Sequence, residues 1–273
     1  MSTYGDSVIS TSGNDFVACT HEEADTRIMI HVADCASQGH TKVCIRTVDT
    51  DVVALAVSVL NTIALSELWL AFGAGKSFRY IAAHSIASNL GRDKAAALPM
   101  FHSITGCDTV SSFAGRGKKS CWDVWRMYEP LTQCLLRLTD APAELTTEDI
   151  SVIQRFVVLL YGRTCELSTV NEARRHLFAQ GSRSLEHIPP TQGALLQHCK
   201  RAVYQGGYIW GQALVPDPTL PSPANWGWRH DGDGWQPHWT DLPEAASACH
   251  ELIRCGCNKA CSGHCKCKRN ALA

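Results

Sequence analysis

An α/β fold organised on one buried strand is what this sequence predicts, from three observations. The first is the stretch 43–53, VCIRTVDTDVV, in which a short apolar run ends in Asp49 and Asp51 and passes straight into an apolar, helix-like segment. This is the pattern of a buried parallel strand whose carboxyl end presents a site, the place where open α/β sheets bind their ligands. The second is the order strand, helix, strand, strand, helix that follows, which is the α/β signature rather than an all-α or all-β one. The third is composition. With 273 residues, 45% hydrophobic and 19% charged, the chain can bury a sizeable core and has the make-up of an ordinary globular protein.

In chain order, residues 1–18 are Ser/Thr/Gly-rich and read as irregular. Thr20 with Glu23 fits a capping box that opens a helix over 21–38, with Ile28, Val32 and Cys35 as its apolar side and Gly39 ending it. A strand at 43–48 follows, then a helix over 51–63, then the β-like run ELWLAFG at 67–73. Gly73 and Gly75 turn the chain into FRYIA at 78–82, a third strand or hairpin partner. AHSIASNLG reads as a helix closed by Gly91, and KAAALPMFHSIT as another, interrupted near Pro99. From 108 a Gly-punctuated turn feeds a basic helix whose Trp122 and Trp125, three apart, read as core positions rather than base-stacking groups. Helices over 148–162, 169–181 and 191–211 come next, and the Pro-rich VPDPTLPSP at 215–223 marks a boundary. Beyond it Trp226, Trp228, Trp235 and Trp239 lie on two arms around DGDG, which suggests a hairpin. The organisation predicted is an irregular 1–19, a core at 20–130, a helical region at 131–212, a Pro/Trp-rich segment at 213–248 and a Cys-rich tail at 249–273.

Charge and cysteine placement bound the function. A net charge of −1 gives no global attraction to nucleic acid, so such binding must come from a local basic patch. No apolar run is long enough to span a membrane, and the first residues lack the basic start and apolar core of a secretory signal. Of 14 cysteines, eight are scattered from Cys19 to Cys199 and six crowd into 249–267. The scattered ones are expected to be reduced and buried, and the cluster to bind metal, in an intracellular protein. His21, His31, His84, His102, His176 and His187 show no ligand spacing and read as surface or core residues. No G-x-S-x-G, Walker or Rossmann pattern occurs, and nothing marks Cys107 as a nucleophile.

Two further acidic groups frame the DTD motif: HEEADT at 21–26 and TGCDT at 105–109. Mg²⁺ and Mn²⁺ prefer carboxylate oxygens and water, and two-metal phosphodiester chemistry needs several carboxylates converging from different elements. Asp49 and Asp51 share strand parity, so a strand reaching that far points both to one side. Glu22 and Asp25, three apart, share a helix face; Glu23 and Asp25 do not, although both could reach a metal from a first turn. Asp108 follows an apolar helix and a Gly, as a loop-borne ligand would. Each acid alone is better explained otherwise: Asp49 or Asp51 as a helix cap, Glu22 and Glu23 by the helix macrodipole. Their ordered combination points to a metal site.

On these residues the chain resembles the PIN-like superfamily in its flap endonuclease/XPG branch, over about 20–128. There an E-x-E helix precedes a strand ending D-x-D, and a later G-x-D leads into a helix–turn–helix that grips DNA. The resemblance implies a three-layer core with a mainly parallel sheet, followed by a helical region and an irregular Trp/Cys-rich tail. It implies Mg²⁺ or Mn²⁺ held by Glu23, Asp25, Asp49, Asp51 and Asp108, with Glu22 beside them, and catalysis of phosphodiester hydrolysis at Asp49, Asp51 and Asp108. The family's opening strand, with its own metal-binding Asp, has no counterpart before Glu22, so the core is expected to be incomplete. HEEADTR, DTDV, LWLAFG, FHSITGCD and the Trp-rich segment also resemble a group of uncharacterised animal proteins of mobile-element type that end in a Cys-rich tail.

GRGKK at 115–119 resembles the Gly-rich turn of the family's helix–turn–helix. Arg116, Lys118, Lys119 and Arg126 make this segment locally positive, either to bind phosphate at a helix N-terminus or as a solvated helix face. In the tail, Cys255, Cys257, Cys261, Cys265 and Cys267 suit Zn²⁺, and the spacing resembles half of a tesmin-type CXC domain, which implies DNA contact. The expectation is a Mg²⁺- or Mn²⁺-dependent nuclease acting on DNA, nuclear rather than cytoplasmic. Its alternative is a non-catalytic nucleic-acid- or partner-binding zinc protein derived from a mobile element.

Overall fold

The structure, a computed structural model, describes residues 2–4, 7–9, 19–179 and 187–241. The predicted zinc tail at 249–273 lies outside the described residues. No helix among those described is long and apolar enough to cross a membrane.

The N-terminal stretch is not wholly irregular, because β1 (Ser2–Tyr4) and β2 (Ser7–Ile9) pair antiparallel. The first helix, α1, spans Ala24–Ser37 with Glu23 as its N-cap. The Thr20 capping box is absent: no side chain caps this end. Instead Thr26 donates its hydroxyl to the Glu23 carbonyl at 3.1 Å, and His21 Nδ1 lies 2.7 Å from the same hydroxyl. The buried side of α1 is Thr26, Met29, Ile30 and Val32, rotated from the Ile28–Val32–Cys35 stripe expected. Gly39, at φ +87, ends the helix as predicted.

The sheet has the order β3–β4–β5, from Lys42–Thr47, Glu67–Phe72 and Arg79–Ala82. β3 and β4 are parallel, linked by α2 (Thr50–Val59), with Ile45 opposite Leu70. β4 and β5 are antiparallel, with Leu70 opposite Ile81. The fold is therefore mixed α/β, and this three-stranded sheet is mixed, with one parallel and one antiparallel pair. Chain length is the cause: only residues 73–78 join β4 to β5, too few for a parallel crossover of a dozen or more. Gly73 and Gly75, at φ +84 and +53, make the reversal.

Side-chain alternation also settles the layering. Ile45, Leu68 and Leu70 join Met29, Leu55, Ala56, Val57 and Ala87 in one apolar cluster on one face of the sheet. The opposite face carries Lys42, Cys44, Arg46 and Tyr80, all exposed. The described residues thus place helices against one sheet face, where a three-layer arrangement has them on both.

α3 (Ala83–Leu90) ends at Gly91 as expected, and α4 (Arg92–Ile104) runs unbroken through Pro99. Proline costs α4 a backbone bond, but the helix is held by burial of Ala95, Ala97, Met100, Phe101 and Ile104. α5 (Lys118–Met127) carries the buried Trp125, stacked on Phe101 at 4.4 Å between ring centroids. α6 (Pro130–Thr139) is an element the sequence reading passed over, started by a proline at its first turn. α7 (Thr147–Tyr161) opens on a capping box of Thr146 with Asp149, and α8 is Val170–Ala179. α9 (Gln192–Val203) passes into a π-helical turn at Tyr204–Ile209.

These helices form a second apolar cluster, centred on Phe156, Leu135, Ile153 and Trp125. Leu98 and Cys107 pack against both clusters. The Trp-rich hairpin is present as predicted, β6 (Trp228–Asp231) with β7 (Gly234–Pro237). It is tied to α9 by Arg201, whose guanidinium donates to the carbonyls of Gly227 and His238. Among the described cysteines all are free thiols, but only Cys121, Cys134 and Cys199 are buried, and Cys44 is exposed. Burial pushes the Cys121 and Cys134 thiols up to about 11 and about 12, which makes them inert packing groups.

Candidate metal centre

The site lies where β3 ends. The Asp49 amide donates to the Thr47 hydroxyl at 3.0 Å, which turns the chain out of the strand. Asp49 then stands as the N-cap of α2, its carboxylate accepting from the Asp51 amide at 2.8 Å. Asp51, in the first helical turn, is buried. Strand parity does not bring the two acids together, because β3 stops at Thr47; the strand-to-helix turn does.

Asp25 enters from the first turn of α1. One oxygen from each of Asp25, Asp49 and Asp51 lies within 4.8 Å of the others. Burial, reinforced by the charges of Asp49, Glu23, Asp51 and Asp108, pushes the Asp25 carboxyl up to about 6. A like-charge cluster of this kind opposes its own ionisation, which a proton on Asp25 or a divalent cation would relieve.

A pocket of about 340 Å³ opens beside the cluster, lined by Glu23, Asp25, Asp51, Asp108, Gln205 and Trp210 among others. Asp108 is exposed in a tight loop where the Cys107 amide donates to the Val110 carbonyl at 2.9 Å. It lines the pocket but stands outside the three-oxygen group. Glu23 is held by other partners: Gln205 Nε2 donates to one carboxylate oxygen at 2.8 Å, and Trp210 Nε1 to the other at 3.1 Å. Gln205 is oriented in turn by the Thr109 hydroxyl at 2.9 Å. Glu22 is exposed and does not line the pocket.

No family model, curated protein or solved structure matches the chain. What the site can do therefore rests on its own geometry.

Three residues of the site go beyond those expected from the sequence. His102, on α4, is buried with Nε2 2.7 Å from Asp51 Oδ1, in the place of a group that orients a ligand carboxylate. Gln205 and Trp210 come from the π-helical turn and the residue after it, against α4 and α6. The turn depends on glycine there: a Cβ on Gly206 would lie 2.5 Å from Met100 Cε, and one on Gly207 2.4 Å from the Leu138 carbonyl oxygen. The GG pair in YQGGYIW was the available signal, since π turns cluster at functional sites.

The basic segment is largely spent on structure. Arg116 stacks on Tyr161 at 4.9 Å. Lys118 runs along an exposed path, yet its ammonium turns inward to the carbonyls of His102 and Gly106 and the Thr105 hydroxyl. Burial lowers its pKa, and the nearby Cys107 and Asp51 oppose that shift. Lys119 is exposed and pairs with Asp123 at 3.3 Å, and Arg126 is exposed. The α5 N-terminus thus braces the loop that bears Asp108, and of its four cations Lys119 and Arg126 face solvent.

Proposed function

We propose that this protein is a divalent-metal-dependent phosphodiesterase of the nuclease type, acting on DNA, with its cation held by Asp25, Asp49 and Asp51. The observation that carries the reading is the convergence of those three carboxylates, from two different helices, at the carboxyl end of β3. All-oxygen, anionic donors suit Mg²⁺ or Mn²⁺ rather than a softer metal. The donor set as placed suits one cation, since both Glu23 oxygens accept from Gln205 and Trp210.

When bound, such a cation polarises a phosphodiester and stabilises its developing charge. The protein's own groups prepare the site. His102 fixes the Asp51 carboxylate, and the Asp49 carboxylate is aimed by the α2 amide that it caps. The Asp25 carboxyl, pushed up to about 6 by burial and its acidic neighbours, must give up its proton for a cation to bind. Asp108 stands at the solvent edge, where it can contact a substrate or a second ion.

The test is cleavage of labelled single-stranded and flap DNA. Products are expected with Mg²⁺ or Mn²⁺, none with a chelator, and none from Asp51→Asn or Asp25→Asn. Cleavage that persists in chelator, or that Asp51→Asn leaves intact, sinks the proposal.

A second reading, a non-catalytic nucleic-acid- or partner-binding protein, is favoured by the engagement of Glu23, which leaves a smaller donor set than two-metal chemistry uses. It predicts salt-dependent DNA binding without turnover. Zinc in the tail, at Cys255, Cys257, Cys261, Cys265 and Cys267, belongs to either reading and is checked by metal analysis of the purified chain.

A further inference from the structure

The open face of the sheet offers aromatic rings to solvent. Phe78 and Tyr80 are 41% and 63% exposed and meet edge to face at 5.2 Å. Cross-strand register sets Ala71 beside Tyr80, Arg46 beside Ala71, and Cys44 beside Trp69. Arg46 lies 4.8 Å from the Phe78 ring centroid, with one nitrogen donating to the Ala71 carbonyl at 3.1 Å. Trp69 is half-buried, its indole N–H donating to Glu67 at 2.8 Å and its ring meeting His84 of α3 at 5.2 Å, so it forms the inner edge of the patch. Two rings set edge to face and a guanidinium therefore form one contiguous exposed patch that no described element covers.

Its charge is the reverse of the metal centre's. The open face and the turn before β5 hold Lys42, Arg46 and Lys76, and their one carboxylate, Glu67, already accepts from Lys42 and Trp69; Arg79 alternates to the other face, over the Phe72 ring. In a chain of net charge −1 this is a local cationic surface. Exposed rings interleaved with cations match a partner that alternates flat π faces with negative charge. Duplex DNA hides its base faces, whereas a single strand presents them.

We propose that the face built on Phe78, Tyr80, Trp69 and Arg46 binds single-stranded nucleic acid by stacking bases on its rings. Register gives the bound strand a direction. Thr47, Phe72 and Arg79 form one row across the sheet, and Thr47 lies two residues before Asp49. Lys76 and Arg79 stand at that same end, beside the carboxyl ends of β3 and β4. A strand laid on the rings is thereby led toward the acidic cluster. This names a substrate class for the proposed phosphodiesterase, but the binding itself stands without it.

The test is fluorescence anisotropy of the full chain with labelled dT and rU 15-mers and a 15-base-pair duplex, all in chelator. Binding here is independent of the metal centre, so failure of the nuclease reading leaves the result standing. Wild type is expected to bind the single strands more tightly than the duplex, and the two 15-mers separate DNA from RNA preference. Tyr80→Ala and Phe78→Ala are each expected to weaken single-strand binding roughly 5- to 100-fold, the effect of losing one stacked base, while Tyr80→Phe retains it. Arg46→Ala is expected to flatten the salt dependence by roughly one phosphate contact. Tyr80 is exposed enough that its loss leaves the fold intact, as circular dichroism would verify. No single-strand binding by wild type, equal affinity for duplex, or unchanged affinity in Tyr80→Ala overturns the proposal. So does a change in sedimentation from dimer to monomer on Tyr80→Ala, which would make the face a contact between copies of the chain.

Discussion

His102 Nε2 lies 2.7 Å from Asp51 Oδ1, and both residues are buried at 8% exposure. A buried carboxylate aimed by a ring nitrogen loses its orientation when the ring is removed. His102→Ala is therefore expected to weaken Mn²⁺ binding about 10- to 100-fold. His102→Gln, which can still donate to Asp51, should recover part of the loss. Calorimetric titration with Mn²⁺ measures both, and an affinity equal to wild type in His102→Ala would separate the histidine from the site.

Asp49 has two duties that substitution can divide. As the N-cap of α2 it accepts the Asp51 amide, and Asp49→Ala is expected to cost about 1 kcal/mol of stability. Asp49→Ser keeps a cap and loses the anionic donor. Urea unfolding should show Asp49→Ser near wild type, while metal-induced stabilisation vanishes in both variants. If Asp49→Ser still responds to Mn²⁺, Asp49 is a cap alone.

Asp25 supplies the pH dependence. Its carboxyl is raised from 3.8 to about 6 in the folded state, so the folded protein binds a proton more tightly than the unfolded chain. The associated stability is present in full below pH 4 and is lost as pH rises through 6. Asp25→Asn is thus expected to be more stable than wild type at pH 7.5, by about 1 kcal/mol once solvent screening of this half-exposed group is allowed for. The advantage should shrink toward pH 4.5. Thermal melts at the two pH values decide it, and equal gains at both would assign the effect elsewhere.

The same residue couples metal to proton. Mn²⁺ must displace the Asp25 proton below pH 6, so the metal-induced rise in Tm is expected to be large at pH 7.5 and small at pH 5. Chelator should reverse it. A rise that is independent of pH would place the metal away from Asp25.

Glu23 tests what the π-helical turn contributes to the site. Trp210→Phe removes the indole donor and leaves one Glu23 oxygen short of a partner, at an expected cost of about 1–2 kcal/mol in urea unfolding. In a Glu23→Gln background the same substitution should cost less, because the charge it served is gone. Additive losses would mean that Trp210 acts through packing alone.

Much of this arrangement was legible in the residues. The DTD run after an apolar strand marked the carboxyl end of β3, Gly39 and Gly91 marked helix ends at positive φ, and DGDG marked the hairpin. Local signals of this sort act over a few residues, so one sequence carries them whole. The turn residues Gly73 and Gly75 were seen too, yet their consequence was not. A six-residue connection forces β5 antiparallel to β4.

Within the candidate site, the sequence by itself determined which acids were available and that Asp25, Asp49 and Asp51 sit at element ends. Tertiary structure decided which of them meet. Glu23 and Asp25 differ by two residues, but the Gln205 and Trp210 side chains, some 180 positions away, take one and leave the other to Asp49 and Asp51. His102 reaches Asp51 across 51 residues. Such contacts depend on how α4 and the π-helical turn pack on the sheet layer, and packing of distant segments leaves no periodicity or spacing in a single chain to read.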